Sequence, residues 1–244
     1  MSNIKAYKTF FTDEMKKLSV DVSDETYEKL CDYYDLLIEK NKVMNLTAIT
    51  EPKEVLIKHF MDSAMMVKVV DPSDKDIIDI GTGAGFPGMV IKILFPKSRV
   101  VLLDSLKKRI GFLNELIDKL QITDIEAIHG RAEEFGHDEN FREKFDFSVS
   151  RAVAGLNVLC ELCLPFVKVG GKFISYKSGN IASEILEAEN SINLLGGKFE
   201  PDVIDFDLIG EEKVQSRSLV VISRCICTPE KYPRRPGIPA KRPL

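Results

Sequence analysis

The segment that decides the fold of this 244-residue chain is Asp79-Ile80-Gly81-Thr82-Gly83-Ala84-Gly85-Phe86-Pro87-Gly88. Its glycines follow a short apolar run, 77–80, which is typical of a buried parallel strand. Glycines at alternate positions let the backbone turn sharply and approach a ligand closely. A helical pattern follows over 88–95. The segment therefore predicts a strand, a ligand-binding loop and a helix in succession.

The sequence after this loop alternates between strand and helix patterns. We predict strands over 99–103, 125–129, 145–149 and 172–176, helices over 107–120, 154–168 and 180–194, and a turn at Gly170-Gly171. This alternation indicates βαβ units and a mostly parallel sheet covered by helices on both faces. Two further strands, 203–208 and 219–225, have no clear helix between them, which predicts an antiparallel pair. An α/β, Rossmann-like sheet with such a terminal pair is the arrangement of class I methyltransferases.

The residues on either side of this core have a different pattern. Helical patterns cover 4–20 and 23–42, with Ser23 as N-cap, and a third helix should begin near Pro52. Residues 229–243 contain five of the eleven prolines and five Lys or Arg against one Glu. We therefore predict an N-terminal helical extension (1–72), a cofactor-binding core (73–228) and a stiff, basic, proline-rich tail outside the core (229–244).

Two cofactors fit the glycine loop. Residues 83–88 satisfy G-x-G-x-x-G, the dinucleotide fingerprint, and Asp104 could hold the ribose of either cofactor. Asp79, however, would attract the amino group of S-adenosylmethionine and repel a pyrophosphate, and the terminal strand pair favours the same cofactor. The residues predicted to hold its methionine end are Asp79, Gly81, Gly83 and Gly85. An NAD-dependent oxidoreductase and a glycine turn without a ligand remain as alternatives.

The composition of the chain says less about the type of protein than the glycine loop says. The net charge of -4 carries no global signature of a nucleic-acid binder, although a few Lys and Arg on one face would suffice. The first residues lack a signal-peptide pattern and no run approaches the roughly 18 apolar residues that span a bilayer, so we predict a cytoplasmic location. The five cysteines lack zinc-site spacing, so no metal is expected. No long apolar stripe is left over, which favours a monomer.

A set of motifs, in order along nearly the whole chain, resembles one family. They are Asn45-Leu46-Thr47, Lys58-His59 with Asp62-Ser63, the glycine loop with Phe86-Pro87, Asp104-Ser105-Leu106 with Lys108-Arg109, Arg131-Ala132-Glu133, Ser150-Arg151-Ala152, and Lys231-Tyr232-Pro233-Arg234-Arg235-Pro236-Gly237. Together they resemble the bacterial small-subunit (16S) ribosomal RNA guanine-N7 methyltransferase G family, also called glucose-inhibited division protein B. The resemblance implies that the cofactor pocket is lined by Gly81, Phe86, Ala132, Glu133 and Arg151.

The resemblance also implies a reaction that needs little chemistry from the protein. Guanine N7 has an in-plane lone pair and no proton to lose, so no general base is required and no catalytic residue is nominated. The residues after the fourth strand, Ser150-Arg151-Ala152, differ from the Asn/Asp-Pro-Pro-aromatic loop often associated with methylation of exocyclic amines. His59 and Asp62 lie on one face of the third helix, where we expect a helix-docking hydrogen bond rather than a catalytic pair.

The implied partner is ribosomal RNA in the small subunit, gripped by the N-terminal helices and the basic tail. The candidate RNA contacts are Lys177, Arg217, Arg234 and Arg235. A ribosome assembly factor that keeps the cofactor but does not turn over is a further alternative, because the reaction has no obligatory catalytic residue whose loss would be visible.

Overall fold

The computed structural model describes residues 3–151, 154–178, 181–200, 204–207 and 216–244. Its first part is helical, as predicted. Ser23 caps the second α-helix, because its hydroxyl accepts the Thr26 N–H at 3.1 Å. The elements are a 3-10 helix (Asn3–Tyr7), α1 (Lys8–Lys17), α2 (Asp24–Met44), α3 (Pro52–Val55), a π-helical turn (Leu56–Met61), α4 (Asp62–Ala64) and a 3-10 turn (Met65–Lys68).

Eight strands form one sheet in the described part of the chain. They are β1 (Asp76–Ile80), β2 (Arg99–Asp104), β3 (Ile125–His129), β4 (Phe145–Arg151), β5 (Val167–Ser178), β6 (Gly197–Phe199), β7 (Ile204–Asp207) and β8 (Ser216–Arg224). Their order is β3-β2-β1-β4-β5-β8-β6, and β7 also pairs with β8. The strands β1 to β5 pair in parallel, whereas β8 is antiparallel to β5, β6 and β7.

The predicted fold class is therefore confirmed, including the terminal antiparallel pair, which is β7 and β8. Residues 203 and 208 of the predicted strand lie outside the described residues. The helices of the core are α5 (Gly88–Leu94), α6 (Lys107–Leu120), α7 (Ala132–Phe135), α8 (Leu156–Cys163), α9 (Ala182–Leu194) and α10 (Ile238–Lys241). The short elements α7, α10 and β6 were absent from the prediction, because three or four residues carry no readable period.

The prediction of a helix over 154–168 is wrong at its C-terminal end. The α-helix ends at Cys163, a 3-10 turn (Leu164–Phe166) follows, and β5 already begins at Val167. Pro165 accounts for this change, since it lacks the N–H that a continuing α-helix would use. Gly170-Gly171 lies inside β5, where the register to β4 shifts. The predicted turn is therefore a bulge within a longer strand.

Two hydrophobic cores lie on the two faces of the sheet. Successive strand residues point to opposite faces, so Ile77 and Ile78 belong to different cores. The first core joins α1, α2 and residues 52–68, which we call the third helical segment, to α5 and α6. The N-terminal extension therefore shares its core with the sheet, and each fully buried Leu or Phe there contributes about 1.5–3 kcal/mol.

The C-terminal residues also reach into the molecule. The prediction that 229–244 lies outside the core is wrong for Tyr232, which is buried in the second core beside α8. The divisions after residues 72 and 228 stay predictions about the organisation of the chain. Among the described residues, no helix combines the length and apolar character that a bilayer span requires.

Candidate cofactor and substrate site

The glycine loop lies at the carboxyl edge of the sheet, where the strand order reverses. β1 has β2 on one side and β4 on the other, and the chain crosses over between β3 and β4. Ligands of open α/β sheets bind at such a switch point. The loop is held to β2, because the N–H groups of Gly81 and Thr82 donate to the Leu103 carbonyl at 2.9 and 3.2 Å. The predicted ligand loop therefore lies where the fold favours a ligand.

Asp79 supports the loop from below. Its side chain is fully buried, and Oδ2 accepts hydrogen bonds from Thr82 Oγ1 at 2.7 Å and from the Gly88 N–H at 2.8 Å. Burial raises the pKa of this carboxyl to about 6, although both hydrogen bonds oppose the shift. Gly88 must lack a side chain, since a Cβ there would lie 2.8 Å from that of Asp79. The structure thus places Asp79 beneath the loop, where it fixes the loop's shape.

Asp104 connects the loop to the end of β2. Its Oδ2 accepts the Gly83 N–H at 2.9 Å and lies 3.1 Å from Arg109 Nη1, and its Oδ1 accepts the Leu106 N–H at 2.8 Å. The carboxylate lines the open cleft beside the loop. Its position at the carboxyl end of the second strand suits the hydroxyls of a ribose.

Two clefts meet at Asp104. The first, of about 440 Å³, lies between the loop and the N-terminal extension. The second, of about 230 Å³, runs past the ends of β2 and β3. Both are lined by Gly81, Asp104 and Ser105. The first is further lined by Leu46, Thr47, His59, Thr82, Gly83, Ala84, Phe86, Arg109 and Arg151. An elongated ligand could therefore lie across Asp104 with one end in each cleft.

The N-terminal extension holds the glycine loop in place. Tyr33 of α2 is fully buried, and its hydroxyl donates to the Ala84 carbonyl at 2.5 Å. Its ring stacks on that of Phe86, with 5.4 Å between the two centroids. The His59 ring also stacks on Phe86, with 4.5 Å between the centroids. The first cleft thus depends on helices that precede the sheet in the sequence.

We expect Tyr33→Phe to weaken cofactor binding without unfolding the protein. The substitution keeps the ring stack but leaves the buried Ala84 carbonyl without this donor, which costs about 1–3 kcal/mol. Part of that loss should appear as a few-fold higher Kd for the cofactor, because the loop is less firmly held. Calorimetry and urea unfolding measure the two effects. Tyr34→Phe is the matched control, since the hydroxyl of Tyr34 donates to the Thr50 carbonyl and not to the glycine loop. Equal effects of both changes would contradict the role of Tyr33.

Arg151 joins the end of β4 to the third helical segment. Its Nη1 lies 2.8 Å from Asp62 Oδ2 and donates to the Lys58 carbonyl at 3.2 Å. The guanidinium lies over the Phe86 ring, 4.9 Å from its centroid. The Asp62 carboxylate is 2% exposed, so this pair is largely removed from water. Arg151 therefore forms one wall of the first cleft while its charge is balanced by Asp62.

His59 docks the same segment, as predicted, and stays neutral. Its Nε2 lies 2.8 Å from Thr47 Oγ1, which already accepts the Ile49 N–H and so can donate its own proton to the ring. Burial, and after it the nearby Arg151 charge, lower the pKa of His59 to about 3. A neutral ring between an arginine and a phenylalanine suits a structural role better than acid catalysis.

The depressed pKa of His59 predicts a pH dependence of stability. The unfolded chain binds a proton on this ring below about pH 6.5, whereas the folded protein does not. The stability that His59 contributes is therefore present above that pH and is lost as the pH falls toward 3. The free energy of unfolding of the wild type minus that of His59→Asn should fall by about 1–2 kcal/mol between pH 7.5 and pH 5. The subtraction cancels the contribution of Asp79, whose raised pKa changes the stability with pH in the opposite direction. A constant difference, measured by urea unfolding, would contradict the assignment.

A third pocket, which we call the basic pocket, opens on the other side of Arg151. It has a volume of about 250 Å³ and is lined by Asp62, Arg151, Tyr176, Lys177, Ser178, Glu184, Arg217 and Ser218. Lys177 Nζ lies 2.5 Å from Glu184 Oε1, and Arg217 Nε lies 3.6 Å from Asp62 Oδ1. Three cations and two carboxylates thus surround a space at the carboxyl ends of β4 and β5, next to the cofactor clefts.

The sequence relatives identify the family. A family model described as rRNA small subunit methyltransferase G matches residues 26–202. The chain belongs to this family. The ribosomal RNA small subunit methyltransferase G of Acetivibrio thermocellus is 48% identical over 225 residues, which cover 92% of this chain and 91% of that protein. The protein of the same name from Lachnoclostridium phytofermentans is 49% identical over 235 residues, 96% of each chain.

Solved structures of lower identity share the fold. The branched-chain polyamine synthase of Thermus thermophilus has a TM-score of 0.58 at 13% identity, covering 81% of this chain and 64% of that one. TYW2 of P. horikoshii, in complex with MeSAdo, has a TM-score of 0.53 at 16% identity, covering 68% and 63%. These structures show the fold alone. The family match and the sequence relatives confirm the resemblance, and the oxidoreductase alternative is set aside because the methyltransferase G family does other chemistry.

The remaining residues singled out from the sequence fall in three places. Ala132 and Glu133 line the second cleft, and Lys177 and Arg217 share the basic pocket. Arg234 instead pairs with the buried Glu161 carboxylate, 2.5 Å from its Oε2, while Arg235 is exposed. Ala152, in the motif with Arg151, lies outside the described residues. These placements leave the cofactor and RNA roles as proposals for this member of the methyltransferase G family.

Two residues that support the first cleft were given no role in the sequence analysis. Tyr33 falls at helical spacing from Leu30 and Leu37, so its burial was predictable, but its partner Ala84 lies 51 residues away in sequence. Thr47 belongs to a quoted motif, yet only the fold brings it to His59. No local pattern in the sequence indicates either of these pairs.

Proposed function

We propose that this chain transfers a methyl group to N7 of a guanine in the 16S ribosomal RNA of the small subunit. The methyl donor is S-adenosylmethionine, as expected of a member of the methyltransferase G family. The observation that carries the proposal is this family match together with a cleft at the switch point of the sheet that adjoins a basic pocket through Arg151. A cytoplasmic location follows from the proposed substrate, and a monomer is part of the same proposal.

The residues of the first cleft fit the methionine end and ribose of this cofactor. A Cβ built on Gly83 would meet only the Gly81 carbonyl oxygen, 3.9 Å away, so the backbone there is open to a ligand. Asp104, which accepts the Gly83 N–H, lines the same cleft, and we assign it to the ribose hydroxyls. Gly81 and Phe86 complete this side. Asp79 and Gly85 do not line the cleft and support the loop from below.

The second cleft suits the adenine. It is lined by apolar side chains that include Leu103, Val158 and Leu162, with Ala132 and Glu133 at the end of β3. A flat aromatic base favours such walls with a few polar groups at its edge. We therefore assign Ala132 and Glu133 to the adenine end, beyond Asp104.

The cofactor supplies an activated methyl group, so the protein has to bind, orient and exclude water. Guanine N7 offers its lone pair without losing a proton, so the reaction needs no general base and His59 does not have to act as one. Arg151 separates the first cleft from the basic pocket. A base entering beside Arg151 would therefore meet the cofactor at the carboxyl end of β4.

We assign the basic pocket to the target nucleotide. Arg217 and Lys177 can contact a phosphate or the acceptor edge of a guanine, because both supply charged donors. Their own carboxylate partners, Asp62 and Glu184, keep them in place before RNA arrives. Arg235 is exposed and remains a candidate phosphate contact, whereas Arg234 is engaged with Glu161.

The test is transfer of labelled methyl from S-adenosylmethionine to small subunits from cells that lack this protein, with the product mapped by chemical cleavage at N7-methylguanine. One labelled guanine is expected, and subunits from cells that contain the protein should accept no label. Arg217→Gln should raise KM for the subunit, whereas Arg99→Gln, at the opposite edge of the sheet, should not. Label at another atom, or cofactor binding without any transfer, would overturn the proposal in favour of a different target or a non-catalytic assembly role.

A further inference from the structure

We infer that the C-terminal segment, residues 229–244, is part of the cofactor site and closes its adenine end. This rests on the proposed function, in which the second cleft receives the adenine. Gly237 and Ala240 line that cleft opposite β2 and β3, together with Ala132 and Glu133. The last residues of the chain thus form a wall of the cleft, in addition to any contact they make with RNA.

An ion pair with a buried carboxylate fixes the segment at its middle. Glu161 of α8 is fully buried, and both of its carboxylate oxygens contact Arg234. Oε1 accepts the Arg234 backbone N–H at 2.7 Å and its Nε at 2.8 Å, and Oε2 lies 2.5 Å from Nη2. A paired arrangement of this kind positions both groups, because separating them would leave a buried carboxylate without a partner.

Arg142 and His137 fix the residues before that pair. The Arg142 guanidinium donates to the carbonyls of Thr228 at 2.7 Å and Tyr232 at 2.8 Å. His137 Nε2 lies 2.6 Å from the Pro233 carbonyl oxygen, and the Tyr232 side chain is buried. The chain is therefore held continuously from Thr228 to Arg234, which brings the following residues to the cleft along a defined path.

Glu133 connects the segment to the cleft itself. Its Oε1 accepts the Gly237 N–H at 3.0 Å, one residue before α10 begins. Glu133 is 9% exposed and lines the cleft from the end of β3. This hydrogen bond sets the distance between the two walls, so we assign Glu133 a positioning role toward α10 in addition to its place beside the adenine.

The sharpest test places a large side chain on α10. Ala240 is solvent-exposed and lines the cleft, so Ala240→Phe should obstruct the adenine end while leaving the core intact. We expect the Kd for S-adenosylmethionine, measured by calorimetry, to rise at least about tenfold with an unchanged Tm. Lys241→Phe is the matched control, since Lys241 is the exposed neighbour on the same helix and does not line the cleft. Its Kd should stay within about twofold of the wild type.

A second variant tests the inference even if the side chain introduced by Ala240→Phe points away from the cleft. Removal of residues 237–244 keeps the Arg142 and Arg234 contacts but deletes the wall, so it should also weaken binding of S-adenosylmethionine and of S-adenosylhomocysteine. If both variants bind within about twofold of the wild type, the inference is overturned. Unchanged cofactor binding with a higher KM for the subunit would instead assign the segment to RNA. A wild type that binds neither compound would refute the proposed function and the inference with it.

Discussion

Replacing Arg151 by alanine should lower kcat/KM for methyl transfer at least about 100-fold, because this side chain forms the wall between the cofactor cleft and the basic pocket. The change also removes the closer of two arginines from the buried Asp62 carboxylate, since Arg217 lies 3.6 Å from its Oδ1. Breaking one partner of a buried pair costs about 2–4 kcal/mol of unfolding free energy. Urea unfolding and labelled methyl transfer to small subunits measure the two effects separately.

A double variant separates the two roles of Arg151. In Asp62→Asn with Arg151→Ala the buried charge is gone, so part of the lost stability should return. Transfer should remain low, since the guanidinium that faces both pockets is still missing. Arg151→Lys should also fall short of the wild type, because an ammonium group cannot contact Asp62, Lys58 and the Phe86 ring together. Recovery of activity in the double variant would show that Arg151 only balances the charge of Asp62 and has no direct role in methyl transfer.

The sheet was predictable from the sequence because its signals are local. β1 and β2 are short, mostly apolar runs, β3 and β4 alternate apolar with polar residues, and the glycine loop marks where β1 ends. The end of α8 was misjudged because apolar residues continue through Pro165 into β5 without a change of composition. A pattern of hydrophobicity alone cannot separate a buried helix from the buried strand that follows it.

The site was predictable only where its residues belong to a motif. Gly81, Gly83, Phe86, Asp104 and Arg151 were identified from the sequence and line the first cleft. Asp79 and Gly85, which were predicted beside them, are buried beneath the loop instead. The residue of α2 that supports the loop was not identified, because only the fold brings the Tyr33 hydroxyl to the Ala84 carbonyl. The C-terminal segment was misjudged for a physical reason: its prolines and basic residues are typical of a solvated tail. Its buried partners, such as Glu161, lie more than seventy residues away.

Gly85→Ala should destabilise the protein and abolish cofactor binding together. Gly85 has φ +101°, a conformation that an L-residue rarely adopts, and its Cβ would lie 2.7 Å from the Tyr33 hydroxyl and 2.9 Å from Met89 Cβ. Both neighbours are fully buried, so neither can move away without displacing the core. Strain and overpacking together should cost about 3 kcal/mol or more. The displaced loop should also lose measurable affinity for S-adenosylmethionine.

Two other glycines make this prediction specific. Gly83→Ala has space around its Cβ and only the strain of φ +63°, so it should cost about 1 kcal/mol of stability while its methyl group obstructs the cleft. Gly111→Ala, in the middle of α6 with nothing near its Cβ, should stabilise the protein by about 0.5–1 kcal/mol and leave binding unchanged. Urea unfolding and calorimetry on all three should therefore separate folding from binding. If Gly85→Ala behaved like Gly83→Ala, the contact between α2 and the loop would not be what fixes the cofactor site.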